Sequence, residues 1–192
     1  MTEPTVWTIG HSTRSAPEFA AALSANRIEL VADVRRLPGS RRLPQFDSET
    51  LSRSLAARGI DYCWIRELGG RRRPEPDSRN TAWRHPAFRA YADHMASEEF
   101  AAGLFELLML ARGLRTALMC AEVLPHRCHR RLIADALVAR GIEVMHIIDR
   151  RRTEAHALNP QAHILEDGRL RYIEAVQTEL ELFPADRVSS LS

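Results

Sequence analysis

The feature that most constrains this chain is an alternation. Five short apolar runs, Val6–Gly10, Ile28–Val34, Ile60–Ile65, Leu114–Cys120 and Ile142–Ile148, are separated by segments with helical spacing. Short runs rich in β-branched residues make strands, and apolar positions three and four apart make helices. Such an alternation builds a mostly parallel sheet covered on both faces. The expected fold class is therefore α/β: a single-domain three-layer sandwich with a mostly parallel, Rossmann-like sheet of about five strands. A chain of 192 residues is long enough for one full core and too short for two ordinary enzyme domains. We expect one domain over 1–183 and a flexible tail at 184–192.

Boundary signals place the helices. Ser15 caps a helix over Pro17–Asn26, Asp47 or Ser48 opens one that Gly59 stops, and Pro86 opens one to Met95. Ser97 or Glu98 opens another to Arg112, and a helix after His126 runs to Arg140 with Leu132, Ile133, Ala136 and Leu137 inward. The polar segment Glu67–His85, with Gly69-Gly70, Pro74 and Pro76, reads as a lid or binding loop. Thr153–Ala162 reads as irregular, His163–Leu165 and Arg169–Arg171 as a hairpin around Asp167-Gly168, and Tyr172–Glu181 as a last helix.

The longest apolar stretch, Ala101–Ala111, carries Glu106 and is far short of a membrane span. No signal peptide is visible at Met1–Pro4. Three cysteines, Cys63, Cys120 and Cys128, are a poor disulfide framework. These points predict a cytoplasmic protein with no membrane partner.

Right-handed crossovers place the loops that follow parallel strands at the carboxyl edge of the sheet, where such folds bind ligands. The strand ends there are rich in chemistry. His11, Asp33, Glu67, Cys120, Glu122 and His129 are the candidate catalytic groups. Gly10, Ser12, Arg35, Arg41, Arg42, Gln45, Phe46, Gly69, Gly70, Arg71 and Arg130 are the candidate substrate-binding residues. Each has a plainer reading. His11 caps a loop, Asp33 pairs with Arg35 or Arg36, the glycines serve backbone conformation, and Glu122 pairs with Arg127 or Arg130. Cys63, between Tyr62 and Trp64, reads as packing. Cys120, where a strand gives way to a helix, has the surroundings of a thiolate nucleophile or of an inert buried thiol.

Charge adds weight to the edge. All 27 basic residues are Arg, and the formal net charge is only +2. Four windows after expected strands, 35–42, 66–89, 127–131 and 150–152, hold 17 of these Arg and only three acids. An edge so positive attracts phosphate-rich or otherwise anionic partners. Phe46, Trp83 and Phe88 near these windows are candidates for base stacking, with packing as their default role. Cys120, His126, Cys128 and His129 lie within ten residues. On a helix Cys128 and His129 would point ~100° apart, and the spacing matches no zinc pattern, so no metal and no other cofactor is expected.

Thr8-Ile9-Gly10-His11-Ser12, Asp33-Val34-Arg35, Ser40-Arg41-Arg42, Pro44-Gln45-Phe46, Glu67-Leu68-Gly69-Gly70-Arg71, Cys120-Ala121-Glu122 and Cys128-His129-Arg130 occur in that order. From about Val6 to Ile148 the chain resembles the domain-of-unknown-function family DUF488. The resemblance implies a small cytoplasmic α/β domain with no established reaction, and a loose link of some members to DNA repair or nucleic-acid metabolism. The leading expectation is an enzyme, a hydrolase or transferase, acting on a nucleotide, a nucleic-acid component or another phosphorylated substrate at the Arg-rich edge. The alternatives are a non-catalytic nucleic-acid-binding module and a thiol-dependent enzyme using Cys120. Either way the expected partner is an anionic small molecule or nucleic acid.

Overall fold

The structure, a computed structural model, describes residues 3–174. The expected tail and most of the last expected helix, 175–181, lie outside them. The described residues form eight strands and five α-helices, in the order β1 (Val6–Gly10), α1 (Ala16–Ala25), β2 (Leu30–Asp33), α2 (Ser48–Ala56), β3 (Asp61–Trp64), α3 (Pro86–His94), α4 (Glu98–Gly113), β4 (Thr116–Cys120), α5 (Arg130–Val138), β5 (Val144–Ile147), β6 (Thr153–Ala155), β7 (Ala162–Ile164) and β8 (Leu170–Tyr172). Tyr172, expected to open a helix, instead ends β8.

The main sheet has six strands in the order β3-β2-β4-β1-β5-β6. β1 to β5 pair in parallel, as the alternation requires. β6 is antiparallel to β5 and was not expected. It is three residues long and mostly exposed, too short for hydrophobic alternation to register. The β7–β8 hairpin forms a separate two-stranded sheet.

The local signals act where expected. The Ser15 side chain accepts from the Glu18 amide, and the Glu18 carboxylate reaches back to the Ser15 amide, a reciprocal cap on α1. The helix expected after His126 starts later than its pattern suggested. Pro125–Arg127 forms a single 3-10 turn, Cys128 is extended, and α5 begins only at Arg130.

The sheet separates two cores. Phe19 and Leu23 of α1 and Leu51 and Leu55 of α2 pack with Val31, Ile9 and Met119 on one face. Tyr91, Leu104, Leu107, Leu132 and Ile133 of α3, α4 and α5 pack with Ala32, Leu118 and Cys120 on the other. Successive strand residues point to opposite faces, so this division decides where each residue at the carboxyl edge ends up. Among the described residues no helix is long and apolar enough to cross a membrane.

Candidate functional site

The pleat splits the predicted constellation into two groups. Residues in phase with Ile9 and Val31 face α1 and α2. There Asp33, fully buried, takes the Arg35 guanidinium through Nε at 2.9 Å and NH2 at 2.6 Å, and the Tyr62 hydroxyl at 2.7 Å. Arg35 also donates to the Phe46 carbonyl. Burial and the Asp33 charge push the Tyr62 phenol above its ordinary range, so it stays a donor. The His11 ring stacks on Phe46 at 4.2 Å, and its Nδ1 donates to the Ser12 carbonyl. Burial pulls the His11 pKa below its usual value, so the ring is neutral packing material. Gln45 donates to the Arg14 carbonyl, and Phe46 is wholly buried. This side is a plug of mutually satisfied groups.

Residues in phase with Ala32 and Leu118 face α3 to α5, and there the edge opens. A cavity of about 500 Å³ is lined by the ends of β2 and β4, by Gly70-Arg71 of the loop after β3, and by α3. It lies between β2 and β4. The chain leaves β2 towards α2 on one face and leaves β4 towards α5 on the other, so the crevice sits at a switch point of the sheet. Arg36, Arg71 and Arg127 line it, with Glu122 as its single acidic residue. Phe88 and His85, whose rings lie 5.5 Å apart, form an aromatic wall.

At the cavity's inner end Cys120, Cys128 and His129 come together, with their ligand atoms all within 4.8 Å of one another. Both sulfurs lie 3.8 Å from His129 Nδ1. The helical separation expected of Cys128 and His129 does not occur, because Cys128 is extended (φ −128°, ψ 144°) and lies before α5. His129 Nε2 lies 3.0 Å from the Val34 carbonyl, which can only accept. Nε2 therefore carries the proton and Nδ1 presents its lone pair to the sulfurs. Of the two thiols it is Cys128, not Cys120, that is held towards thiolate. Burial opposes this, but the hydrogen bond from the Cys120 thiol and the Arg130 charge favour it. The bond to Cys128, together with burial, holds Cys120 well above the ordinary thiol value.

Close packing fixes this arrangement. A Cβ on Gly70 would lie 2.8 Å from His129 Nδ1, so only glycine lets the loop close over the imidazole. A Cβ on Gly10 would lie 1.8 Å from the Glu122 carbonyl oxygen. The His11 and Ser12 amides donate to the Cys120 and Ala121 carbonyls at 2.9 and 2.7 Å. Gly10-His11-Ser12 thus stitches β1 to the turn after β4. Arg130, 1% exposed, donates to the Glu122 and Val123 carbonyls and braces that turn from below. Arg71 has a left-handed backbone (φ 56°), a strained geometry that tends to be retained at sites of function.

A profile of the family described as "Domain of unknown function DUF488" matches residues 15–137, more than half of the chain. The chain belongs to this family. Comparison with curated proteins and with solved structures gave no match. The DUF488 match covers every segment that lines the cavity, and leaves Gly10-His11-Ser12 outside.

In this DUF488 domain the cavity gathers Cys120, Glu122, His129, Gly70, Arg71 and the Arg35 segment from the sequence-derived set. Asp33, His11, Gly10, Ser12, Gln45, Phe46, Glu67, Gly69 and Arg130 are not among its lining residues. Asp33 takes the plainer role of pairing with Arg35, whereas Glu122 is exposed and unpaired among the described residues. Glu67 contributes its carbonyl, which accepts from Arg72 and His94. Gly69 is pressed against Arg36. Arg41 and Arg42 are exposed, and Arg41 lines a neighbouring depression with Ser40 and Thr50. The candidate set left out Arg36, Arg127 and Cys128. For Arg36 the two-residue period carried a signal, since it shares the face of Val34 and not that of Asp33; Arg127, in a 3-10 turn, and Cys128, between that turn and α5, had none.

Proposed function

We propose that this protein is an enzyme acting on a small phosphorylated or similarly anionic substrate, such as a nucleotide or nucleic-acid component, bound in the carboxyl-edge cavity. The observation that carries the reading is the coincidence in one cavity of Arg36, Arg71 and Arg127 with the Cys120–Cys128–His129 cluster and the lone carboxylate of Glu122. Arg71 and Arg127 have no acidic partner among the described residues, and Arg36 reaches Glu99 only at 3.8 Å. Guanidinium groups so placed take oxyanions bidentately. Three neighbouring Arg are instead committed inside the fold. Arg35 and Arg72 pair with Asp33 and Glu99, and Arg130 serves carbonyl groups.

Volume favours this reading over a non-catalytic nucleic-acid module. About 500 Å³ is the size of a small-molecule site and holds a nucleotide, not a length of duplex. The Phe88–His85 wall gives a base something to stack on. In this reading Glu122, the single carboxylate lining the cavity, takes the proton-transfer role.

Binding of inorganic phosphate and of a nucleoside monophosphate, measured by calorimetry, tests the proposal. Arg36→Ala and Arg127→Ala are expected to weaken binding tenfold or more with the fold intact, and Glu122→Gln to leave binding unchanged while removing turnover of a substrate once found. Absence of binding to either probe at low salt refutes the reading. Tight, steeply salt-dependent binding of long oligonucleotides with no binding of the mononucleotide replaces it with the nucleic-acid module.

A further inference from the structure

We propose that Cys120, Cys128 and His129 form a mononuclear zinc site with three protein ligands and a fourth position open to the cavity. The proposal rests on the reading of the cavity given above and names the reacting centre within it.

Geometry supports it. Tetrahedral zinc with Zn–S of ~2.3 Å and Zn–N of ~2.0–2.1 Å requires sulfur-to-nitrogen separations of roughly 3.6 Å. Both sulfurs lie 3.8 Å from His129 Nδ1, and all three ligand atoms fall within 4.8 Å. Sulfurs and nitrogen thus stand close to their bound positions.

The surroundings support it independently. The His129 Nε2–H donates to the Val34 carbonyl at 3.0 Å, the backbone acceptor that typically orients a metal-binding imidazole. That bond leaves Nδ1 unprotonated and aimed at the sulfurs. Gly70 packs closely against the ring. Neither thiol is spent in a disulfide. Two thiolates and an imidazole suit zinc far better than magnesium or calcium. The three ligands supply two negative charges, so the bound ion is neutralised and still acts as a Lewis acid. All three ligands line the cavity, so the open position faces Arg36, Arg71 and Arg127. An anionic substrate there would place one oxygen on the metal and the others on guanidinium groups.

The experiment uses the full chain, stripped of metal under reducing conditions and titrated with Co²⁺ as a spectroscopic probe and with Zn²⁺ as competitor. The expected result is uptake of one Co²⁺ per chain, with a thiolate-to-cobalt charge-transfer band and the intense visible bands of four-coordination, both abolished by one equivalent of Zn²⁺. Cys63→Ser, remote from the cluster, should leave the spectrum unchanged. Cys120→Ser, Cys128→Ser and His129→Gln should each weaken Co²⁺ binding at least a hundredfold, with folding checked by circular dichroism. If a serine variant does not fold, the wild-type and Cys63→Ser spectra still decide, because only Cys120 and Cys128 remain as sulfur donors. No stoichiometric uptake, a spectrum without sulfur charge transfer, or loss of the band in Cys63→Ser overturns the proposal. Arg36→Ala separates the two readings. It should keep the cobalt spectrum and lose the spectral change on adding inorganic phosphate. A normal spectrum that phosphate never perturbs, in wild type as in the variant, upholds the metal site and removes the anion-substrate reading.

Discussion

Replacing Asp135 by Ala tests the buried polar chain that ties the carboxyl-terminal elements to the sheet. Asp135 is wholly buried on α5. Its Oδ1 lies 2.9 Å from both His156 Nε2 and the Asn159 amide, and its Oδ2 accepts from the Tyr172 hydroxyl at 2.8 Å. His156 Nδ1 then lies 2.9 Å from His146 Nε2, and His146 Nδ1 lies 2.7 Å from the Thr8 hydroxyl. With the carboxylate as terminal acceptor, every proton has one consistent place: Thr8 donates to His146, His146 to His156, and His156 to Asp135. The chain links β1, β5, α5 and β8. Removing the carboxylate strands three buried donors, each costing about 1–3 kcal/mol. Relief of the carboxylate's own desolvation offsets part of that sum. The expected net loss is about 3 kcal/mol, read from urea denaturation followed by circular dichroism. Tyr172→Phe should cost about 2 kcal/mol in the wild type and almost nothing beside Asp135→Ala, a coupling that a double-mutant cycle measures. A loss below about 1 kcal/mol, or additive effects, would refute the assignment of these bonds as a connected network.

Three other predictions follow from specific contacts. Burial pulls the His146 pKa down to about 3, so His146 is neutral when folded but takes a proton in the unfolded chain below about 6.5. Its contribution to stability is complete above pH 6.5 and drains as pH falls towards 3, with a slope of up to about 1.4 kcal/mol per pH unit; an equally steep acid limb in His146→Gln would show that other groups carry it. Gly10→Ala forces a methyl group onto the Glu122 carbonyl and should cost about 3 kcal/mol in chemical denaturation while disturbing Cys120, whereas unchanged stability would mean that the turn yields freely. Asp33→Asn breaks the buried pair with Arg35 and should lower stability by about 3 kcal/mol; an unchanged melting temperature with loss of catalysis would return Asp33 to the acid–base candidates.

The outline of the fold was legible because its causes are local. The Ser15 cap, the pattern of Leu132, Ile133, Ala136 and Leu137, and the β-branched runs each act within a few residues. β6 was illegible because its pairing with β5 supplies what its own three residues lack. Cys128 was discounted because a helical frame was assumed for it. The 3-10 turn at Pro125–Arg127 leaves Cys128 extended, and that difference turns its sulfur towards Cys120 and His129.

The sequence by itself determined the α/β class, the parallel order of its elements and the concentration of Arg after its strands. Periodicity, capping and charge are properties of neighbouring residues and survive without any tertiary contact. Only the tertiary structure decided which of those groups share a site. The strand pleat sent Asp33 and His11 into a closed plug on one face and Arg36 and Cys120 to an open cavity on the other. Whether an Arg meets a ligand or a carbonyl depends on what the rest of the chain brings against it. The bracing of Arg130 by two carbonyls and the exposure of Arg71 and Arg127 could be settled only by packing.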